Sequence, residues 1–85
     1  MTKIRWTDEA VEWLEELDLP VQELIIARLD DVQKQAEELV LPLDESPYDL
    51  LRIGGYRVIC SWDRDTDVLT VLLVCHQQSF SDVTT

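Results

Sequence analysis

Lysine occurs only twice in these 85 residues, at Lys3 and Lys34, against ten Asp and eight Glu. Five Arg bring the basic total to 7, so the formal charge is 7 − 18 = −11. Such an excess argues against binding nucleic acid, because like charges repel. No apolar run approaches the roughly 20 residues that a membrane-spanning helix needs. The opening Met1-Thr2-Lys3-Ile4-Arg5-Trp6 has no apolar stretch of signal-peptide length, so the expected location is the cytoplasm, with no membrane partner. Glycine occurs 2 times and proline 3, and no repeat or low-complexity segment appears. Hydrophobic residues make up 46% of the chain, enough for a packed core, which excludes wholesale disorder. A chain this short has room for one domain, expected to span residues 1–85.

Metal chemistry is excluded in the same way. Two cysteines, Cys60 and Cys75, and the single His76 give no recognisable zinc spacing. Asp63, Asp65 and Asp67 alternate as in a calcium loop but lack the Gly and the later Glu. No metal and no cofactor are expected.

The acidity itself points to an environment. An acidic, lysine-poor exterior around an ordinary core suits a cytoplasm holding molar salt. There the Debye length is about 3 Å and self-repulsion is largely screened. The sequence reads as that of an extreme halophile; a mesophilic protein with a basic partner is the other reading.

Local patterns then order the elements. Lys3-Ile4-Arg5-Trp6 alternates polar and apolar residues, as a short strand does. Thr7 caps a helix with Asp8 and Glu9 in its first turn, where negative charge suits the helix dipole. Ala10, Trp13, Leu14 and Leu17 form one apolar stripe. Pro20 fits the first turn of a second helix, capped by Asp18 or Leu19. That helix is predicted from Val21 to about Leu39, with Val21, Ile25, Leu29, Val32, Ala36 and Leu39 on one face.

Pro42, Ser46 and Pro47 mark an irregular connection. Strands follow at Tyr48 to Ile53, Tyr56 to Trp62 and Val68 to His76, joined by Gly54-Gly55 and by the polar turn Asp63 to Asp67. Pairing Trp62 with Val68 would set Cys60 and Cys75 roughly 17 Å apart, too far for a disulfide. The tail from Gln77 to Thr85 is polar. The predicted fold is α+β: an N-terminal strand, an antiparallel helical hairpin, then a three-stranded antiparallel meander. Both helices pack on one face of an antiparallel sheet, leaving the other face free to bind.

Within that order, Leu51-Arg52-Ile53-Gly54-Gly55-Tyr56-Arg57-Val58-Ile59 resembles the RelE/ParE superfamily of toxins from two-gene toxin–antitoxin modules. The opening strand running into Trp6-Thr7-Asp8-Glu9-Ala10, the two helices and the closing Val74-Cys75-His76 extend the resemblance over most of the chain. It implies a cognate antitoxin as partner. It also implies either RelE-like cleavage of messenger RNA on the ribosome or ParE-like inhibition of DNA gyrase. Cleavage needs cations for the charge that develops on the phosphate, and groups that carry protons between ribose and leaving oxygen.

The resemblance places such groups at Arg57, at Arg52, and around His76 and Gln77. The family's lysines fall near Tyr48 and Leu50, its Arg after the closing His at Gln77, and its terminal Tyr at best at Phe80. Two readings follow, an RNA endonuclease (or a weakened descendant) and a non-enzymatic binding protein of the same fold. For single residues the alternatives also stay open. Arg57 touches phosphate or an antitoxin carboxylate, or pairs with a nearby acid such as Asp49. Arg52 is a contact or plain surface, His76 a proton carrier or a structural residue, and Gln77 lines the site. Of the three tryptophans, Trp13 is expected in the core.

Salt tests the composition directly. If the acidic surface is a halophilic adaptation, the thermal midpoint rises between dilute buffer and molar KCl. An unchanged midpoint contradicts it.

Overall fold

Thr7 closes the first strand and opens the first helix. Its hydroxyl accepts the Ala10 N–H at 3.1 Å and donates to the Val71 carbonyl at 3.2 Å, capping the helix and tying it to the sheet. The computed structural model describes residues 1–76. In it β1 is Lys3–Trp6, α1 Asp8–Glu15, α2 Leu19–Leu39, β2 Leu41–Pro42, β3 Asp49–Ile53, β4 Tyr56–Asp63 and β5 Val68–His76. Asp18 stands at the N-cap of α2 and Pro20 in its first turn, where a missing N–H costs no hydrogen bond. The Gln22 amide donates to the Leu17 carbonyl at 2.7 Å, fastening the junction between the helices.

The strands form one sheet in the order β1-β5-β4-β3-β2. β3, β4 and β5 pair antiparallel as predicted, but they belong to a five-stranded mixed sheet rather than a meander on its own. β1 lies parallel to β5, which lets Ile4 and Trp6 extend the apolar face beside Leu69 and Val71. Leu41–Pro42, predicted as irregular, pairs with Asp49 and Leu50. Pro42 is tolerated there because the strand is at the sheet edge, where its missing donor is not needed.

Helix α1 packs against β5 and α2 against β3, both on the same face. The stripe of α2 is confirmed: Ile25, Leu29, Val32 and Ala36 are buried, with Val21 and Leu39 packed at its margins. They meet Leu51, Ile53, Val58, Leu69 and Val71 from the sheet. Each fully buried aliphatic side chain contributes roughly 1.5–3 kcal/mol.

Two expectations fail. Trp13 is 46% exposed rather than core. Its position lies at the margin of a stripe centred on Ala10 and Leu17, and the eight-residue α1 covers too little sheet to enclose it. The β4–β5 register also differs by one, with Trp62 opposite Leu69 and Asp63 opposite Val68. Cys60 therefore faces Val71, and a bulge between Ile59 and Cys60 shifts the ladder once more, so Cys75 faces Arg57. The two thiols are three residues apart along the ladder, about 10 Å, and both are free.

Asp67 locks the N-terminal strand to the hairpin. It sits at φ 56 at the end of the β4–β5 turn. Its Oδ1 accepts the Thr2 hydroxyl at 2.8 Å and the Trp62 indole N–H at 3.1 Å, while its carbonyl accepts the Lys3 N–H at 2.9 Å. The Thr2 bond, then the Trp62 bond, hold its carboxyl below the usual range. A depressed folded pKa gives stability that is present above the ordinary carboxylate range and lost as pH falls through the folded value. Asp67→Asn should therefore melt below wild type at pH 7, with the gap closing in acid. A constant gap in thermal scans from pH 7 to pH 2 would count against the charged carboxylate.

Candidate functional site

The face of the sheet away from the helices is set by the register. Lys3, Val68 and Asp63 form one row across it, then Arg5, Thr70 and Ser61. Leu73, Ile59 and Leu50 form the next, and Cys75, Arg57 and Arg52 the last. Charge is divided between the two sides of the molecule. Helices α1 and α2 carry nine acids (Asp8, Glu9, Glu12, Glu15, Glu23, Asp30, Asp31, Glu37 and Glu38) and two bases, 2 − 9 = −7. The five strands carry four bases (Lys3, Arg5, Arg52 and Arg57) and two acids, 4 − 2 = +2. One of those acids, Asp49, is buried and its Oδ2 accepts the Trp62 N–H at 3.0 Å. A strongly acidic chain thus presents a sheet face dominated by cations.

The sequence-predicted residues converge at the β3–β4 turn. Gly54, at φ +56, makes that turn tight. Arg52 and Arg57 are then directly opposite each other. Like charges in that position destabilise a sheet unless an anion lies between them. The Arg57 guanidinium donates from Nη1 to the Tyr56 carbonyl at 3.0 Å and the Gly54 carbonyl at 3.4 Å. Asp49, offered from the sequence as its partner, is on the other face and occupied by Trp62.

His76 pairs with Tyr56 across the ladder, their rings edge to face with centroids 5.3 Å apart. Two guanidiniums, an imidazole and a phenol thus share one end of three neighbouring strands, but alternation puts His76 and Tyr56 on the helix side and Arg52 and Arg57 on the open face. Gln77 and Phe80 lie outside the described residues. Among the described residues no group of His, Cys, Asp and Glu could hold a metal.

Sequence reasoning passed over Tyr56 and the β1 cations. The alternation Lys3-Ile4-Arg5-Trp6 already placed both cations on one side, but only the pairing with β5 shows that it is the same side as Arg57. A pocket of about 480 Å³ lies elsewhere, lined by Thr2, Gln33, Trp62, Arg64 and Asp67. Arg64 stacks on Trp62 there at 4.3 Å. Its mixed charge and its use by the Asp67 bonds make it a structural corner rather than the site.

A two-helix layer over one face of a mixed sheet, with a cationic corner at the Gly54-Gly55 turn, is a fold of small toxins. The chain belongs to the ParE toxin family of type II toxin–antitoxin systems, whose profile matches residues 4–79. It is similar in structure to the toxin–antitoxin complex RelBE2 of Mycobacterium tuberculosis (TM-score 0.81, 20% identity, 88% of this chain and 96% of that one). Similar too is the archaeal RelE–RelB complex of Pyrococcus horikoshii (TM-score 0.75, 19% identity, 89% and 94%). The isolated RelE toxin of E. coli matches with TM-score 0.75 and 16% identity over 99% and 96%. These identities bear on the fold. No curated protein sequence matches significantly.

The two thiols report on the site without touching its chemistry. Burial, then the charge of Asp49, pushes the Cys60 thiol up to about 12. Burial raises Cys75 as well, with the Arg57 charge opposing it. Cys75 is half-buried on the open face and Cys60 fully buried. Iodoacetamide at pH 8 should modify Cys75 in the native protein and Cys60 only after unfolding. Equal labelling, read by peptide mass, would contradict the packing.

Proposed function

We propose that this toxin cleaves single-stranded message on the ribosome, with the Arg52–Arg57 corner as the phosphate-binding element. The observation that supports it is the direct opposition of two guanidiniums on the open face of a chain with net charge −11. Placed against the scissile phosphate, they stabilise the charge that develops on its oxygens. His76, a proton carrier in the sequence reading, and Tyr56 stand at that end of the sheet but on its helix side by alternation, so the guanidinium pair carries this proposal. Gln77 adds a hydrogen-bonding amide where relatives carry a cation.

The partner is a cognate antitoxin. This rests on the family and on the relatives of like fold, whose crystals hold RelB with RelE. The cell interior is the place of action and the high-salt source accounts for the acidic helices. A second reading, binding and inhibition of DNA gyrase without RNA chemistry, is favoured by the ParE profile and by the absence of lysine from β3 and β4.

Arg57→Leu should abolish growth inhibition with little change in melting. Removing a charged group from a pre-organised site costs 10²–10³ in rate, about 2.7–4 kcal/mol. Gln77→Arg restores a cation and should increase message cleavage, read by primer extension on translated messages. Full toxicity of Arg57→Leu, with no cleavage by Gln77→Arg, transfers the assignment to the gyrase-type reading.

A further inference from the structure

The chemistry proposed above leaves the cations of β1 unused. Lys3 and Arg5 alternate with Ile4 and Trp6, which pack on the core, so both cations project onto the open face and are exposed. Neither they nor Arg52 make an ion pair among the described residues, where Arg28 and Asp31 form the one pair. In a chain with 18 acids, the described strands put one exposed carboxylate on this face, in the row of Lys3. The strands' one exposed acid is Asp63, at the hairpin end, and its Oδ1 already accepts the Asp65 and Thr66 N–H groups.

Parallel pairing sets Arg5 beside Thr70, while Arg57 lies beside Cys75 on the second strand over. The advance along β5 is about 16 Å and two strand spacings add about 10 Å, so the two cationic corners are about 19 Å apart on a diagonal. Between them the floor is neutral: Thr70 and Ser61 offer hydroxyls, and Ile59 and Leu73 offer flat aliphatic surface.

Two separated cationic points with a neutral floor between them match a single strand of nucleic acid. Its phosphates seek the cations while its bases lie on apolar surface. An acidic peptide strand would meet the same cations, but it has no base rings to lie on the Ile59 and Leu73 surface between them. We propose that Lys3 and Arg5 form a second phosphate-binding corner, so that single-stranded RNA crosses the sheet diagonally from the Arg52–Arg57 end to β1. This rests on the RNA reading above and extends its footprint well beyond the scissile bond. Lys3 and Arg5 are positioning residues in this scheme, outside the reacting atoms.

The test uses the full chain and a fluorescein-labelled 12-nucleotide single-stranded RNA of mixed sequence, followed by anisotropy at several salt concentrations. Wild type is compared with the double variant Lys3→Gln, Arg5→Gln, each checked for an unchanged melting curve. Removing two phosphate-binding cations should flatten the log–log salt slope by about 2 × 0.7 = 1.4. The affinity ratio between 50 and 200 mM salt should then shrink about sevenfold. An unchanged slope and affinity, no binding by wild type, or equal displacement by a poly-glutamate peptide would each overturn the inference. Primer extension separates it from the reading beneath it. If wild type cuts no message yet the double variant still loses RNA affinity, the cleavage reading falls and the binding corner stands. If Arg57→Leu stops cleavage while the double variant binds as wild type does, the reverse holds.

Discussion

Burial of Val58, Cys60 and Trp62 beneath the helices fixes which way every other residue of β4 points. Alternation then obliges Arg57, Ile59 and Ser61 to face outward, and pairing carries the same division to β3 and β5. The open face is therefore the complement of the core. Its cations are held in place by apolar packing on the reverse side, without carboxylate partners to hold them. A slip of one residue in any strand would exchange the two faces and destroy both core and site.

The bulge in the β4–β5 ladder shows how closely that requirement is met. The Asp63–Val68 pairing at the hairpin places the register one residue away from the simplest alignment, and the irregularity at Ile59–Cys60 shifts it by one more. The two shifts restore the inside–outside relation, so Val74 returns to the core and Cys75 lies beside Arg57. Bulges near functional sites re-aim side chains in this way. Opposite charge is meanwhile segregated to the helices, which keeps the acid excess away from the sheet without lowering it. At high ionic strength the helices' mutual repulsion is screened within a few ångströms, while short-range contacts on the sheet survive.

Much of this was legible in the residues. The stripe of α2, the Thr7 cap, the Gly54-Gly55 turn and the family signature around Arg57 are local features, and local spacing reports them well. The pairing of β1 with β5 was not legible, because parallel pairing joins residues some 65 positions apart and leaves no mark in either segment. The bulge was invisible for a related reason: Val68 to His76 is apolar nearly throughout, so its pattern does not say which residue is the extra one. Trp13 misled because periodicity locates a stripe without telling how wide a surface is available to cover it. At the site, Arg52 and Arg57 were both named from the motif. Their direct opposition, and the cations of β1 on the same face, required the register.

Whether the protein acts through its open sheet face or through its helices can be decided by one titration. A short single-stranded RNA is added to the ¹⁵N-labelled protein and the amide shifts are followed. Action through the sheet perturbs Arg5, Ser61, Thr70, Arg57 and Arg52 and leaves the amides of α1 and the outer side of α2 unmoved. Shifts confined to the helices, or none at all, would contradict it.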